Sequence, residues 1–249
     1  MSVRAPFLNR IVSLPDKVDG NGHPFDIRVF AGGIDLPLRS TVTFFVGENG
    51  SGKSTLLEAL AEHCGFNPEG GSRDHHRATV GGRSALASAL RLEWRPKVTQ
   101  GFFLRAESFY NFATYIEQVS NLSAYGGRSL HAQSHGESFL ALFANRFDRG
   151  MYLLDEPEAA LSPQRQLSLL RIIHDLTATG HAQFVIATHS PILLSFPGAA
   201  VLDFDGNRIE EVDYRQTKHF LITRDFLNAP ERFFKHLFAV APGQERGPA

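Results

Sequence analysis

Cysteine, tryptophan and methionine are scarce in this chain: one, one and two copies among 249 residues. A single Cys64 excludes an internal disulfide and points to a reducing, cytoplasmic setting. Charge of one sign is missing too. The 25 Lys and Arg nearly balance the 26 Asp and Glu, so no global field draws the protein to nucleic acid or an anionic membrane. The start, MSVRAPFLNR, lacks the apolar run of a signal peptide. The longest stretch free of Asp, Glu, Lys and Arg runs from Leu176 to Leu202, but its Gly, Gln, His, Ser and two prolines make it a poor membrane span. Internal repeats and low-complexity segments are absent as well. A soluble protein without membrane insertion is expected.

What is present suits a chain that buries a core. Hydrophobic residues make up 43%, and Phe alone is used 21 times. One stretch departs from charge balance. Residues 73–105 carry seven basic groups (Arg73, Arg77, Arg83, Arg91, Arg95, Lys97, Arg105) against Asp74 and Glu93. A solvated face explains this most simply, and a nucleic-acid contact is the alternative.

Four apolar runs read as strands: TVTFFVG (41–47), GFFLRA (101–106), MYLLD (151–155) and AQFVIAT (182–188). Helical patterns follow at 52–63, 108–119 and from about 135 to 147. Ser162 and Pro163 read as the N-cap and first residue of a helix to about Leu176. Residues 199–204 and 207–212 suggest a hairpin, and GGRS (81–84) a turn and helix cap. Helices near 216–227 and 230–239 close the chain, with Phe233, Phe234, Leu237 and Phe238 as a stripe expected in the core. Alternating strands and helices predict an α/β fold with a largely parallel sheet, flanking helices and a small antiparallel β element. We expect one domain over residues 1–240, with a helical lobe at about 105–148 and a flexible tail at 241–249.

The strongest motif is GENGSGKS, which matches G-x-x-x-x-G-K-S/T between a strand and a helix. Its glycines let the backbone curl so that N–H groups face phosphate oxygens, and the helix adds the positive end of its dipole. Gly47, Glu48, Asn49, Gly50, Ser51, Gly52, Lys53, Ser54 and Thr55 are therefore the candidate nucleotide-binding residues. Lys53 suits the β- and γ-phosphates, and the Ser54 hydroxyl suits Mg²⁺, a hard ion that takes oxygen ligands. Asp155 and Glu156 end an apolar strand, where ligands of α/β sheets gather. Asp155 is placed to hold Mg²⁺, and Glu156 to orient and deprotonate a water. His189 ends the next strand, where an imidazole could reach a γ-phosphate. QSHGESFLALF (133–143) holds a capping box, Ser134 to Glu137, which starts a helix and leaves N–H groups for phosphate. The adjacent His pair in RDHHR (73–77) lacks a spaced third ligand and reads poorly as a metal site.

Taken in order, the phosphate loop, SHGE (134–137), YLLDEPEAALS (152–162) and ATHS (187–190) resemble the nucleotide-binding domain of ABC-type P-loop ATPases over about residues 25–205. The closest likeness is to the soluble branch that includes chromosome-maintenance and DNA-repair ATPases and stand-alone ATPases. The resemblance implies ATP and Mg²⁺ as cofactors and an ATP-dependent homodimer in which two domains meet head to tail. Ser134, Gly136 and Glu137 would belong to the signature that caps a partner's ATP, and Ala160, Leu161 and Ser162 to a loop contacting that partner. Lys53, Glu156 and His189 would be catalytic. Ser54 and Asp155 would hold the metal, and Glu107, after the second strand, would take a metal- or water-contacting role. Phe25 is the candidate adenine-stacking residue. The chain departs from the transporter signature Leu-Ser-Gly-Gly-Gln: Gln133, His135 and Glu137 replace Leu, the first Gly and Gln. No residue matches the glutamine that follows the second strand in this family. Four roles stay open: a hydrolysing, dimerising mechanoenzyme with an unidentified protein partner, a nucleotide-dependent switch with little turnover, the engine of a membrane transporter, and a part of a DNA-repair or defence complex.

Overall fold

The computed structural model describes residues 4–18, 22–67, 70, 83–106, 140 and 148–238. Most of the expected helical lobe, and all of the signature and the tail, lie outside these. Among the described residues nine strands form two sheets. The larger has the order β5-β6-β7-β3-β8-β9, with β3 at Val42–Val46, β5 at Gly101–Arg105, β6 at Gly150–Asp155, β7 at Ala182–Ala187, β8 at Ala200–Asp203 and β9 at Glu210–Glu211. The first five in that order run parallel, and β9 returns antiparallel to β8 as the expected hairpin.

Every residue of β3, β6 and β7 is buried. Strands covered on both faces need apolar side chains in both registers, which is why VTFFV, MYLL and FVIA read as runs rather than alternations. Successive side chains still point to opposite faces. Phe45, Leu153 and Val185 join one core under helix α1 (Lys53–Cys64), with Leu57 and Leu60. Phe44, Leu154, Phe184 and Ile186 join the other under α3 (Pro163–Ala178), with Leu169 and Ile173. Ser162 stands at the N-cap of α3, as read from sequence, but its side chain makes no capping bond. Ser84 does cap the short α2 (Ala85–Ala89), accepting from the Ala87 amide.

The second sheet was not located in the sequence. It has the order β2-β1-β4, all antiparallel, from Asp35–Pro37, Leu8–Ser13 and Leu90–Trp94. These strands are short, half-buried and paired with distant segments, so their local pattern is weak. Leu8, Ile11, Leu36 and Leu90 pack into the core on the α1 side. One buried side chain joins the two sheets. Gln183 Oε1 accepts from the Phe7 and Leu8 amides at 2.7 and 2.9 Å, and its Nε2 donates to Leu8 O at 2.9 Å.

A short α4 (Pro191–Leu194) follows β7, and α5 (Lys218–Asn228) and α6 (Pro230–Leu237) end the described chain. The aromatic stripe of α6 is not core. Phe234, Leu237 and Phe238 are 40, 68 and 69% exposed. The two helices have no fully buried residue, and their rings meet one another instead: Phe226 with Phe233 and Phe234, and Phe234 with Phe238. Helical spacing defines an apolar stripe but not what covers it.

Gln183→Leu keeps the volume but leaves three buried backbone groups unpaired. Each such group costs roughly 1–3 kcal/mol. The variant should lose about 3 kcal/mol of stability, read as a lower urea midpoint, with the loss centred on the β1 junction in hydrogen exchange.

Candidate functional site

Register brings the site together. Phe45 of β3 and Asp155 of β6 both pair with Ala187 of β7, so the three strands end within one residue of one another. Arg105 of β5 pairs with Asp155, and Asp203 of β8 with Val46. The residues just past the ends of β3, β6, β7 and β8 are Gly47, Glu156, Thr188 and Phe204. Their backbones extend the ladders: Glu156 N donates to Ala187 O, Thr188 N to Phe45 O and Phe204 N to Val46 O.

Beyond β3 the chain curls through residues 47–52 into α1. Gly47 has φ +148°, and a Cβ there would meet Ser51 Oγ at 2.9 Å and Asp205 Oδ1 at 3.0 Å. Gly52 has φ +103°, and a Cβ would strike the Phe30 ring at 2.9 Å. Both positions require glycine on two grounds, conformation and space. Lys53 is 4% exposed, and its Nζ donates to Gly47 O at 2.7 Å and Glu48 O at 3.0 Å. The ammonium thus lies against the curl. Burial lowers its pKa, opposed by the Glu156 and Asp155 charges.

Ser54, on the first turn of α1, donates to Asp155 Oδ1 at 3.0 Å. Arg105 Nε lies 3.6 Å from Asp155 Oδ2, and the same guanidinium bonds Glu58 at 2.6 Å. Asp155 is 6% exposed, and burial pushes its carboxyl up to about 6, against the Ser54 bond and the Arg105 charge, which favour ionisation. A hydroxyl and a desolvated carboxylate form a hard oxygen pair, which fits Mg²⁺ completed by phosphate and water. Among the described residues no three His, Cys, Asp or Glu gather as a metal cluster. An Mg²⁺ that took its other ligands from phosphate and water would need no such cluster.

Glu156 leaves the strand with φ +49°, the one non-glycine residue at positive φ among those described. Such a conformation costs of order 1 kcal/mol and is held by its surroundings. It presents the carboxylate, 39% exposed, to the phosphate-loop cavity. His189 is half-buried. Its Nε2 lies 3.3 Å from Glu156 Oε1, enclosed but not aligned for a hydrogen bond. Its amide donates to Glu158 Oε1 at 2.6 Å, and its Nδ1 is 3.3 Å from His219 Nε2 on α5. Burial first, then Lys53 and His219, lower its pKa, so the ring is neutral at pH 7.

A cavity of about 900 Å³ opens over the phosphate loop. Residues 48–55 and Glu156 line one part, Phe204, Asp205, Gly206 and Lys218 another, and His23, Asp26, Ile27 and Arg28 a third. Phe25 is not among them. It is 5% exposed and packed in the α1-side core, so it cannot stack on a base. The turn buries Pro24 and Phe25 together and leaves the next three residues, Asp26, Ile27 and Arg28, to line the cavity. Ser134, Gly136, Glu137 and Glu107 lie outside the described residues, as does RDHHR.

Sequence reasoning missed Asp205, Lys218 and His219. Asp205 Oδ1 accepts the Glu48 amide at 2.6 Å, and its Oδ2 meets Lys218 Nζ at 3.0 Å. The only local trace is the Asp-Gly turn at 205–206. Nothing in it indicates a phosphate loop 157 residues earlier.

Fold, motif placement and relatives agree: the chain has the ABC-type ATPase nucleotide-binding domain. Residues 26–95 match the family described as "AAA domain", and residues 136–195 the one described as "AAA domain, putative AbiEii toxin, Type IV TA system". The chain is 26% identical to the petrobactin import ATP-binding protein FpuD of Bacillus anthracis over 63% of its own length and 64% of that protein's. It is 30% identical to the Fe(3+) ions import ATP-binding protein FbpC 1 of Rhodococcus jostii (strain RHA1), over 72% of its length and 57% of that protein's. The chain therefore spans less than two thirds of these two relatives. The solved structure of cbiO1 from Clostridium perfringens, part of the ABC transporter complex cbiONQ, has the same fold, with a TM-score of 0.51, 15% identity, and coverage of 94% of this chain and 100% of that one.

Between about pH 4 and 6 the folded state keeps a proton on Asp155 that an unfolded chain, with its Asp near 3.9, has released. Stability from this group is full below pH 4 and falls as pH rises through that window. Asp155→Asn should raise unfolding free energy at pH 7.5 by about 2 kcal/mol and flatten its fall between pH 4 and 6. Urea titrations across that range read both effects.

Proposed function

We propose that this chain binds and hydrolyses Mg-ATP, with the nucleotide held between two copies meeting head to tail. The observation that carries the reading is the convergence of Lys53, the Ser54–Asp155 pair, Glu156 and His189 on the carboxyl ends of three adjacent strands. Phosphoryl transfer asks for positioning and charge stabilisation more than covalent chemistry, and this set supplies both.

In this reading the amides of 48–54 cradle the phosphates, and Lys53 leaves its carbonyl partners for the β- and γ-oxygens. Ser54 and Asp155 would hold Mg²⁺, which when bound would offset phosphate charge. Glu156 orients the attacking water and takes its proton. His189, neutral, donates from Nε2 towards the γ-phosphate. Ser134 and Gly136 of a second copy cap the same phosphate, Glu137 opens their helix, and Glu107 contacts metal or water. The working unit is one domain over residues 1–240, cytoplasmic, and among the described residues no helix is long and apolar enough to cross a membrane.

A second reading concerns the load. The relatives named as import ATP-binding proteins favour a transporter engine, a role in which this chain would pair with a membrane component. The departures at Gln133, His135 and Glu137 favour a stand-alone partner instead.

Glu156→Gln should retain ATP binding and lower phosphate release by about 10²–10³-fold, the scale of a lost general base. A rate equal to wild type in single-turnover assays would overturn that role. Ser134→Arg should bind ATP normally yet stay monomeric in sedimentation with Mg-ATP. A normal ATP-dependent dimer would remove Ser134 from the shared site.

A further inference from the structure

The motif set ends at His189, yet the ring that touches His189 belongs to α5, 30 residues on. We propose that His219 is a positioning residue: its Nε2–H donates to His189 Nδ1 and so keeps the His189 proton on Nε2, facing Glu156 and the nucleotide. This rests on the ATPase reading above.

The tautomer follows from the contacts. A neutral imidazole has one donor and one acceptor nitrogen. If His189 Nδ1 carried the proton, its bare Nε2 would lie 3.3 Å from the Glu156 carboxylate with no proton between them, which is repulsive. With the proton on Nε2, that contact is attractive, and Nδ1 becomes an acceptor. The ring opposite must then donate. His219 Nε2 lies 3.3 Å from Nδ1, with the two rings 4.7 Å apart edge-on at 76°. The partner of the second nitrogen sets which nitrogen of a histidine carries the proton.

The placement of His219 is built, not casual. Thr217, 2% exposed, caps α5 by accepting from Phe220 N and donates to Tyr214 O. Lys218 bonds Asp205, which holds the Glu48 amide of the phosphate loop. Two consecutive residues thus tie one helix turn to both the loop and the switch histidine. Among the described residues the charged groups around His189 are Lys53, Glu156 and Glu158, and none of these bonds Nδ1.

The test has two parts. ¹⁵N-histidine spectra of the nucleotide-free protein should show neutral His189 protonated on Nε2. A proton on Nδ1 overturns the proposal whether or not the chain hydrolyses ATP. In steady-state assays, with Glu156→Gln as the blank, His219→Ala should lower kcat about tenfold and leave KM for ATP within about twofold. His219→Gln, whose side-chain N–H can still donate, should recover most of that rate. In a His189→Ala background, His219→Ala should cost nothing further. Additive losses, equal loss in the Ala and Gln variants, or a change confined to KM would overturn the positioning role. A wild-type rate equal to the blank would instead sink the ATPase reading, and the tautomer would still decide the pairing.

Discussion

The site depends on three parallel strands lying side by side in register. β6, β7 and β3 pair through Ala187, which aligns Asp155 and Phe45 with it. A parallel sheet puts all its carboxyl ends on one edge, and ligands of such folds collect there. A one-residue slip would turn Asp155 towards the opposite face and move Glu156 off the cavity. What prevents the slip is burial: Phe44, Leu154 and Ile186 on one face, Phe45, Leu153 and Val185 on the other, all less than 2% exposed. Hydrophobic packing therefore sets the chemistry by setting the register.

That edge is costly in its own right. Lys53 and Asp155 are nearly enclosed, both with pKa values driven towards the neutral form, and Glu156 is held at positive φ. Unaided, none of these stabilises the fold. In the proposed reading each answers a demand of phosphate chemistry: a desolvated cation, a carboxylate that would hold a metal, and a carboxylate turned off the strand axis. The two cores, and links such as Gln183 to β1, supply the stability that offsets them.

The C-terminal helices add something local to this chain. The first turn of α5 reaches the loop through Lys218 and Asp205 and the switch histidine through His219. Further along, α5 and α6 show Ile222, Leu227, Leu237 and Phe238 to solvent. The candidate nucleotide site and this apolar surface thus share one helix.

Local patterns were enough for much of this. Apolar runs ending in Gly47, Asp155 and Thr188 marked the central strands, because strands buried on both faces must be apolar throughout. The phosphate loop was legible for a similar reason, since its glycines answer to backbone geometry within eight residues. The β2-β1-β4 sheet was not legible, because half-buried strands take their register from distant partners, as Leu8 does from Trp94. Phe25 and the α6 stripe show the same limit. Both are apolar in sequence, yet one is sealed in the core and the other lies open, and only packing separates them. Asp205, Lys218 and His219 carry no motif at all. The sequence by itself determined which residues could do phosphate chemistry. The tertiary structure alone decided which other side chains hold them in place, because those contacts cross 13 to 157 positions and leave no periodic trace.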